Sequence, residues 1–203
     1  MVSNGPVSIA FAPHCRFLLI AIVLVGGAGC EFGERPLPGA AGLYAPLLRE
    51  SYHGTPASQM VVTDTAVAMP TLQVSSTTEW ARQLEEVPSE LQRAARQPSP
   101  TASHRLDASL FPTGTRLVSA AAVEASFGGS GIDDKWSTFR SEFSAQGWLS
   151  FSDCLLADDQ LNALVYFEAH CGGLCGEGGY VWLRRDTASS PWRIAKMMVS
   201  WMA

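Results

Sequence analysis

Side chains able to do chemistry gather in one stretch of this chain, from Glu168 through His170, Cys171 and Cys175 to Glu177. Four chemistries need such residues. A redox dithiol would use Cys171 and Cys175, but it lacks the Cys-x-x-Cys spacing at a helix N-terminus that lowers a thiol pKa. A metal centre would draw on Cys154, His170, Cys171 and Cys175. On a strand, however, His170 and Cys171 point to opposite faces, and an oxidising compartment competes with thiolate ligation. A Cys154–His170 nucleophile and base, oriented by Asp153 or Glu168, has no nucleophile elbow or other local signature around the cysteine. A carboxylate or histidine hydrolase would draw on Asp64, Glu168, His170 and Glu177, which stand at no diagnostic spacing. The reading these residues favour is structural. Cys171 and Cys175 flank three residues in a tight loop, close enough for a disulfide, and Cys154 reads as a small buried apolar side chain. No catalytic residue, metal or cofactor is assigned.

Two further features bear on binding. The glycine-rich loop from Gly172 to Gly179 could form an anion nest. It contains no Lys or Arg, and Glu177 adds negative charge, so the glycines are expected to supply positive φ for a tight hairpin. The aromatics Trp136, Trp148, Trp182, Trp192 and Trp201 have core-like spacing. Trp182 shares a strand with Arg184, and with Glu168 and His170 these two form the candidate ligand surface.

The elements that must position these residues follow from apolar spacing. Tyr44, Leu47, Leu48 and Tyr52 share one face of an expected helix from about Leu43 to Tyr52. Met60–Thr63 is a short strand, and residues 66–77 are irregular. A helix runs from Thr78 to about Val87. After Pro88, Ser89 caps a second turn with Gln92 three residues on. Residues 97–113 read as a loop. Leu117-Val118 leads into a short helix capped by Ser119, with Val123 and Phe127 inward, and Gly128–Gly131 breaks it. Trp136, Phe139 and Phe143 make an aromatic stripe on a helix from Asp133 to Phe143, ended by Gln146-Gly147. Four strands follow: Trp148 to Cys154, Leu161 to His170, Gly179 to Arg185 and Trp192 to Trp201. Short connections make them an antiparallel meander. The second is apolar in both alternate sets, so it is central and covered on both faces. The expected fold class is α+β, an antiparallel sheet packed by several short helices, in one domain spanning residues 42–203.

The stretch Asn162-Ala163-Leu164-Val165-Tyr166, then Cys171-Gly172-Gly173-Leu174-Cys175-Gly176, with Gly178, Tyr180, Leu183 and Trp192, resembles an uncharacterised family of secreted bacterial proteins. Its members show an Ala-Leu-Val-Tyr strand, a Cys-Gly-x-Leu-Cys-Gly-x-Gly hairpin, a Tyr-x-x-Leu strand and a late Trp. Tyr44, Leu47-Leu48, Val61-Val62 and Asp64-Thr65 resemble its N-terminal part. This chain departs from the pattern at Ser152-Asp153-Cys154, where relatives carry Ser-Arg-Val, which supports a buried, non-catalytic Cys154. The resemblance bears on fold and compartment and implies no mechanism.

The N-terminus points to export. Arg16 precedes the apolar run Phe17–Val25, and Gly26–Gly29 with Cys30 follow. This is the order of a secretory signal. The run is about half the ~20 residues a spanning helix needs. Ala28-Gly29-Cys30 resembles the lipobox of bacterial lipoproteins, with Gly27 where that family usually has a branched residue. Residues 1–29 would be the signal peptide, Cys30 the lipidated first residue, and 30–41 a Pro/Gly-containing tether. Ordinary cleaved export and an uncleaved anchor are the other two readings. Acidic residues outnumber basic ones, 19 to 14, with no basic cluster, which argues against a nucleic-acid partner. The expectation is a non-catalytic envelope lipoprotein, a binding module or accessory subunit with a membrane anchor and an envelope protein partner. The alternative is a small exported hydrolase. Cys30→Ser should move the protein out of the membrane fraction; unchanged partitioning would point to an uncleaved helix.

Overall fold

The computed structural model describes residues 40–71, 79–97, 104–127 and 131–203. The signal, Cys30, most of the tether, Thr78 and Gly128–Ser130 lie outside these residues. The order of elements is β1 (Ser51–Tyr52), β2 (Thr55–Pro56), β3 (Met60–Thr63), α1 (Glu79–Glu85), α2 (Ser89–Ala95), β4 (Leu117–Val118), α3 (Ala120–Ser126), α4 (Ile132–Phe143), β5 (Gly147–Phe151), β6 (Leu155–Leu156), β7 (Asn162–Gly172), β8 (Cys175–Arg184) and β9 (Arg193–Met202). Among the described residues no helix is long and apolar enough to cross a membrane.

The fold is α+β around a seven-stranded sheet ordered β4-β3-β5-β7-β8-β9, with β6 on the same side of β7 as β5. The meander β5-β7-β8-β9 is antiparallel throughout. The whole sheet is mixed, which corrects the expectation of a purely antiparallel one, because β3 runs parallel to both β4 and β5. The reason is topological. Helices α1 and α2 separate β3 from β4, and α3 and α4 separate β4 from β5, so each strand starts again from the same end of the sheet.

Strand β7 carries the core. Ala163, Val165, Phe167 and Ala169 are fully buried on one face. There they meet Leu43, Tyr44, Leu47, Tyr52, Leu110 and Phe111. Leu164 and Tyr166 are buried on the other face against Leu84, Val87, Leu91 and Ala95 of the α1–α2 region. A third cluster joins Val61 to Val123 of α3 and to Trp136, Phe139 and Phe143 of α4. The aromatic stripe of α4 thus faces inward as its spacing requires.

The segment from Leu43 to Tyr52 is not the helix expected. It is a series of turns, a single 3-10 turn at Leu47–Arg49 and then the β1–β2 hairpin. Tyr44, Leu47 and Tyr52 are still fully buried, so apolar character marked burial while the backbone took another route. Gly42, His53 and Gly54 all sit at positive φ, and the chain reverses where a helix would have gone straight. Ala40, at the end of the expected tether, is buried in the same cluster.

The cap at Ser89 also differs. Pro88 occupies the N-cap position with no side-chain hydrogen bond. The Gln92 amide instead donates to the Leu84 and Val87 carbonyls, at 2.7 and 2.8 Å. Pro88 has no N–H to offer the Leu84 carbonyl four residues back, which takes the Val87 amide at 3.0 Å and the Gln92 side chain instead. Ser119 caps α3 as expected, accepting from the Ala122 amide. Helix α4 stops at Ser144 in the left-handed conformation, so Gly147 opens β5 and does not end the helix. The 97–113 stretch contains a 3-10 turn, Ala108–Leu110, capped by Asp107.

Phe139 is fully buried and its ring lies within 6.0 Å of Phe127, Phe143, Trp136 and Trp148. Phe139→Ala should therefore cost about 3–5 kcal/mol in denaturant unfolding. A loss under about 1 kcal/mol would show that the cavity collapses.

Candidate functional site

Cross-strand partners share a face, so the sheet register decides which side chains meet. Glu168 and His170, two apart on β7, project on the side of the sheet that carries the helices. Glu168 is opposite Ser150 and Gly178, and His170 is opposite Trp148 and Gly176. Trp201 of β9 is opposite Gly178. The α1–α2 cluster covers one end of this face and the α3–α4 cluster the other. Between them Glu168 and His170 stay about a third exposed, at 31% and 32%, although their neighbours Ser150, Thr63 and Tyr166 are buried. The result is a polar, aromatic trough floored by the sheet.

One chain of contacts runs along it. The Trp201 indole Nε1 donates to the Tyr166 hydroxyl at 2.8 Å. Tyr166 in turn donates to Glu168 Oε1 at 3.2 Å. Glu168 Oε2 lies 3.5 Å from His170 Nε2. The His170 ring stacks on Trp148, with centroids 4.7 Å apart, and tilts against Trp201. The hydrogen bond from His170 holds the Glu168 carboxyl below its ordinary value, against the upward push of partial burial. Burial pushes the Tyr166 hydroxyl up to about 12, so it stays a donor to the carboxylate at any physiological pH.

Two local features let Trp201 lie here. A bulge between the Gly178 and Gly179 pairings inserts Ser200 into β9. Trp201 and Met198 are three apart and would otherwise face opposite sides; the extra residue puts both on the helix side. Gly178 then leaves the space that the indole fills, since a Cβ there would collide with Trp201 Nε1, and one at Gly176 would press on the ring edge. The glycines of 172–179 were expected to supply positive φ for the hairpin, and none of them does. Most lie in extended β7 and β8, where the missing side chain matters more than the free backbone.

The other residues considered for chemistry do not join this site. Cys171 and Cys175 form the hairpin disulfide, Cα–Cα 5.0 Å. Cys171 faces the opposite core, as does Cys154, on the side of the sheet away from His170. Among the described residues no three His, Cys, Asp or Glu groups converge as metal ligands. Glu177 lies buried on the opposite face, where it accepts from the His53 amide at 2.8 Å and fastens the β1–β2 turn. Asp64 pairs with Arg105 at 2.8 Å. Asp153 pairs with His104 at 2.9 Å rather than orienting His170, and burial raises its carboxyl. Trp182 and Arg184 share the face of Glu168 but sit farther along β8, beyond the Tyr166–Tyr180 pair. Trp182 Nε1 donates to Asn162 at 3.0 Å. The expected ligand surface therefore divides, with Glu168 and His170 together and Trp182 and Arg184 apart. Sequence reasoning did not select Tyr166 or Trp201 as partners of the pair. Tyr166 continues the i, i+2 series of Glu168 and His170 and was findable; Trp201 depends on the bulge.

The arrangement offers a charged acceptor and an imidazole beside aromatic surfaces. The Tyr166 hydroxyl is committed to Glu168, and those of Thr63 and Ser150 are buried and bonded to each other at 2.9 Å. Compared with known proteins, the chain matches no family model, no curated protein and no solved structure.

Gly178→Ala should drive the indole off the sheet and destabilise the fold by about 1–3 kcal/mol. The same change in a Trp201→Ala background should cost much less. Equal costs in both backgrounds on a double-mutant cycle would place the constraint elsewhere.

Proposed function

We propose that this chain is an exported envelope lipoprotein, anchored through Cys30, that binds a ligand rather than transforming it. Its binding surface is the trough around Glu168 and His170. The observation that carries this reading is the internally partnered chain Trp201–Tyr166–Glu168–His170. It fixes a carboxylate in place beside aromatic rings, with each polar group of the chain already held by its neighbour. A fixed carboxylate accepts hydroxyl donors, and the electron-rich face of an indole attracts C–H bonds. A hydroxyl-rich ring ligand, such as an envelope saccharide, matches both. The disulfide-closed hairpin and the signal-like N-terminus fit an oxidising compartment.

A second reading, a small exported hydrolase, is favoured only by the 3.5 Å approach of Glu168 to His170, which resembles an acid–base pair. A panel of soluble oligosaccharides separates the two. On the binding reading, protection of the trough and quenching of tryptophan emission should appear with no product formed. Glu168→Gln should then weaken binding by about tenfold, the worth of a hydrogen bond to a charged group. Turnover abolished by both Glu168→Gln and His170→Ala would establish the hydrolase instead.

A further inference from the structure

A hollow of about 570 Å³ opens at the β4 edge of the sheet, toward the face packed by the N-terminal segment. Its floor is apolar, from Leu48, Met60, Val62 and Ala145, and Arg49 and Arg116 line it. Among the described residues no Asp or Glu lines it, although acids outnumber bases in the chain. Both arginines are exposed, and among the described residues neither guanidinium has an ion-pair or hydrogen-bond partner. Both stand on anchored backbone. Arg49 ends the 3-10 turn that begins at the buried Leu47. The Arg116 carbonyl accepts from the Val62 amide at 3.0 Å, directly before β4.

We propose that this hollow binds a small amphipathic anion, with its acidic head held by Arg49 and Arg116 and its alkyl portion on the Leu48–Met60–Val62 floor. A guanidinium presents a planar fork of donors that matches a carboxylate or phosphate head. An apolar floor with a few convergent polar groups, in a hollow of this volume, suits a small-molecule ligand. The site is separate from the Glu168–His170 trough: Val62 packs in the core on the far face of the sheet, so loss of either site leaves the other testable.

Photolabelling of the full-length chain with a diazirine-bearing decanoate, mapped by mass spectrometry, tests this. Label should concentrate on peptides covering residues 45–62 and 112–116. The matching diazirine decanol should label these peptides at least about tenfold less, and Arg49→Ala with Arg116→Ala should reduce the decanoate label by a similar factor. Unlabelled decanoate should compete far better than inorganic phosphate. Equal labelling by the alcohol, or full labelling of the double variant, would overturn the role of the arginines. Equal competition by phosphate would overturn the role of the apolar floor. Because both arginines are exposed, an unchanged unfolding midpoint in the double variant shows that the comparison reads binding.

Discussion

Strand β7 has to be covered on both faces, and most of the structure answers that demand. From Ala163 to Ala169 its odd-numbered residues are fully buried, and so is Leu164 on the even side. Leaving either set in water would forfeit the burial that drives folding. The meander supplies neighbours on both edges. The faces are closed by two unlike solutions: irregular N-terminal chain on one side and paired short helices on the other. Because the N-terminal cover needs bulk and not regularity, Tyr44, Leu47 and Tyr52 work from turns as well as they would from a helix. Their hydroxyls are kept satisfied, Tyr44 by the Ser152 carbonyl and Tyr52 by that of Leu47.

The helical cover is split, and the split explains where the polar residues of β7 are allowed. Glu168 and His170 are the two positions of the strand that fall between α1–α2 and α3–α4. A carboxylate under either helix pair would have to lose its hydration. In the gap it keeps partial exposure and gains Tyr166 and His170 as partners. The pairing carries a pH signature. Because the folded state holds Glu168 below its ordinary value of 4.5, the stabilisation is complete above that value and fades as pH falls through the depressed one. Asp153 works in the opposite sense: burial raises its carboxyl, so its ionisation disfavours the folded state as pH rises.

Covalent and steric closures finish the right-hand half of the sheet. The disulfide ties β7 to β8 beside the two-residue turn Gly173-Leu174. Glu177 joins the same hairpin to the β1–β2 turn. The Trp201 indole lies across the glycines of β8. Beyond Trp182, Arg185 sits buried over the Trp192 ring, 4.5 Å from its centroid, and donates to the Gln160 and Ala188 carbonyls. Each of these links loops or strands that the sheet ladder alone leaves loose.

What was legible in the sequence was local. Period-two burial announced the four C-terminal strands and the central place of β7, because alternation is intrinsic to an extended chain. Three- and four-residue spacing announced the inward stripe of α4. The four-residue separation of Cys171 and Cys175 announced their proximity, and the i, i+2 spacing of Glu168 and His170 placed both on one face. What only the tertiary structure decided was relational. The parallel course of β3 depends on where the helical crossovers return the chain. The replacement of a helix by turns at Leu43–Tyr52 depends on the shape of the face to be filled, which apolar spacing does not encode. Trp201 joins Glu168 and His170 only through a one-residue bulge in β9 and the missing side chain of Gly178. Arg49 and Arg116, 67 positions apart in the chain, line one hollow because β3 and β4 pair. Such contacts depend on which strands meet and in what register, and the pattern within each strand fixes its faces but not its partner across the chain.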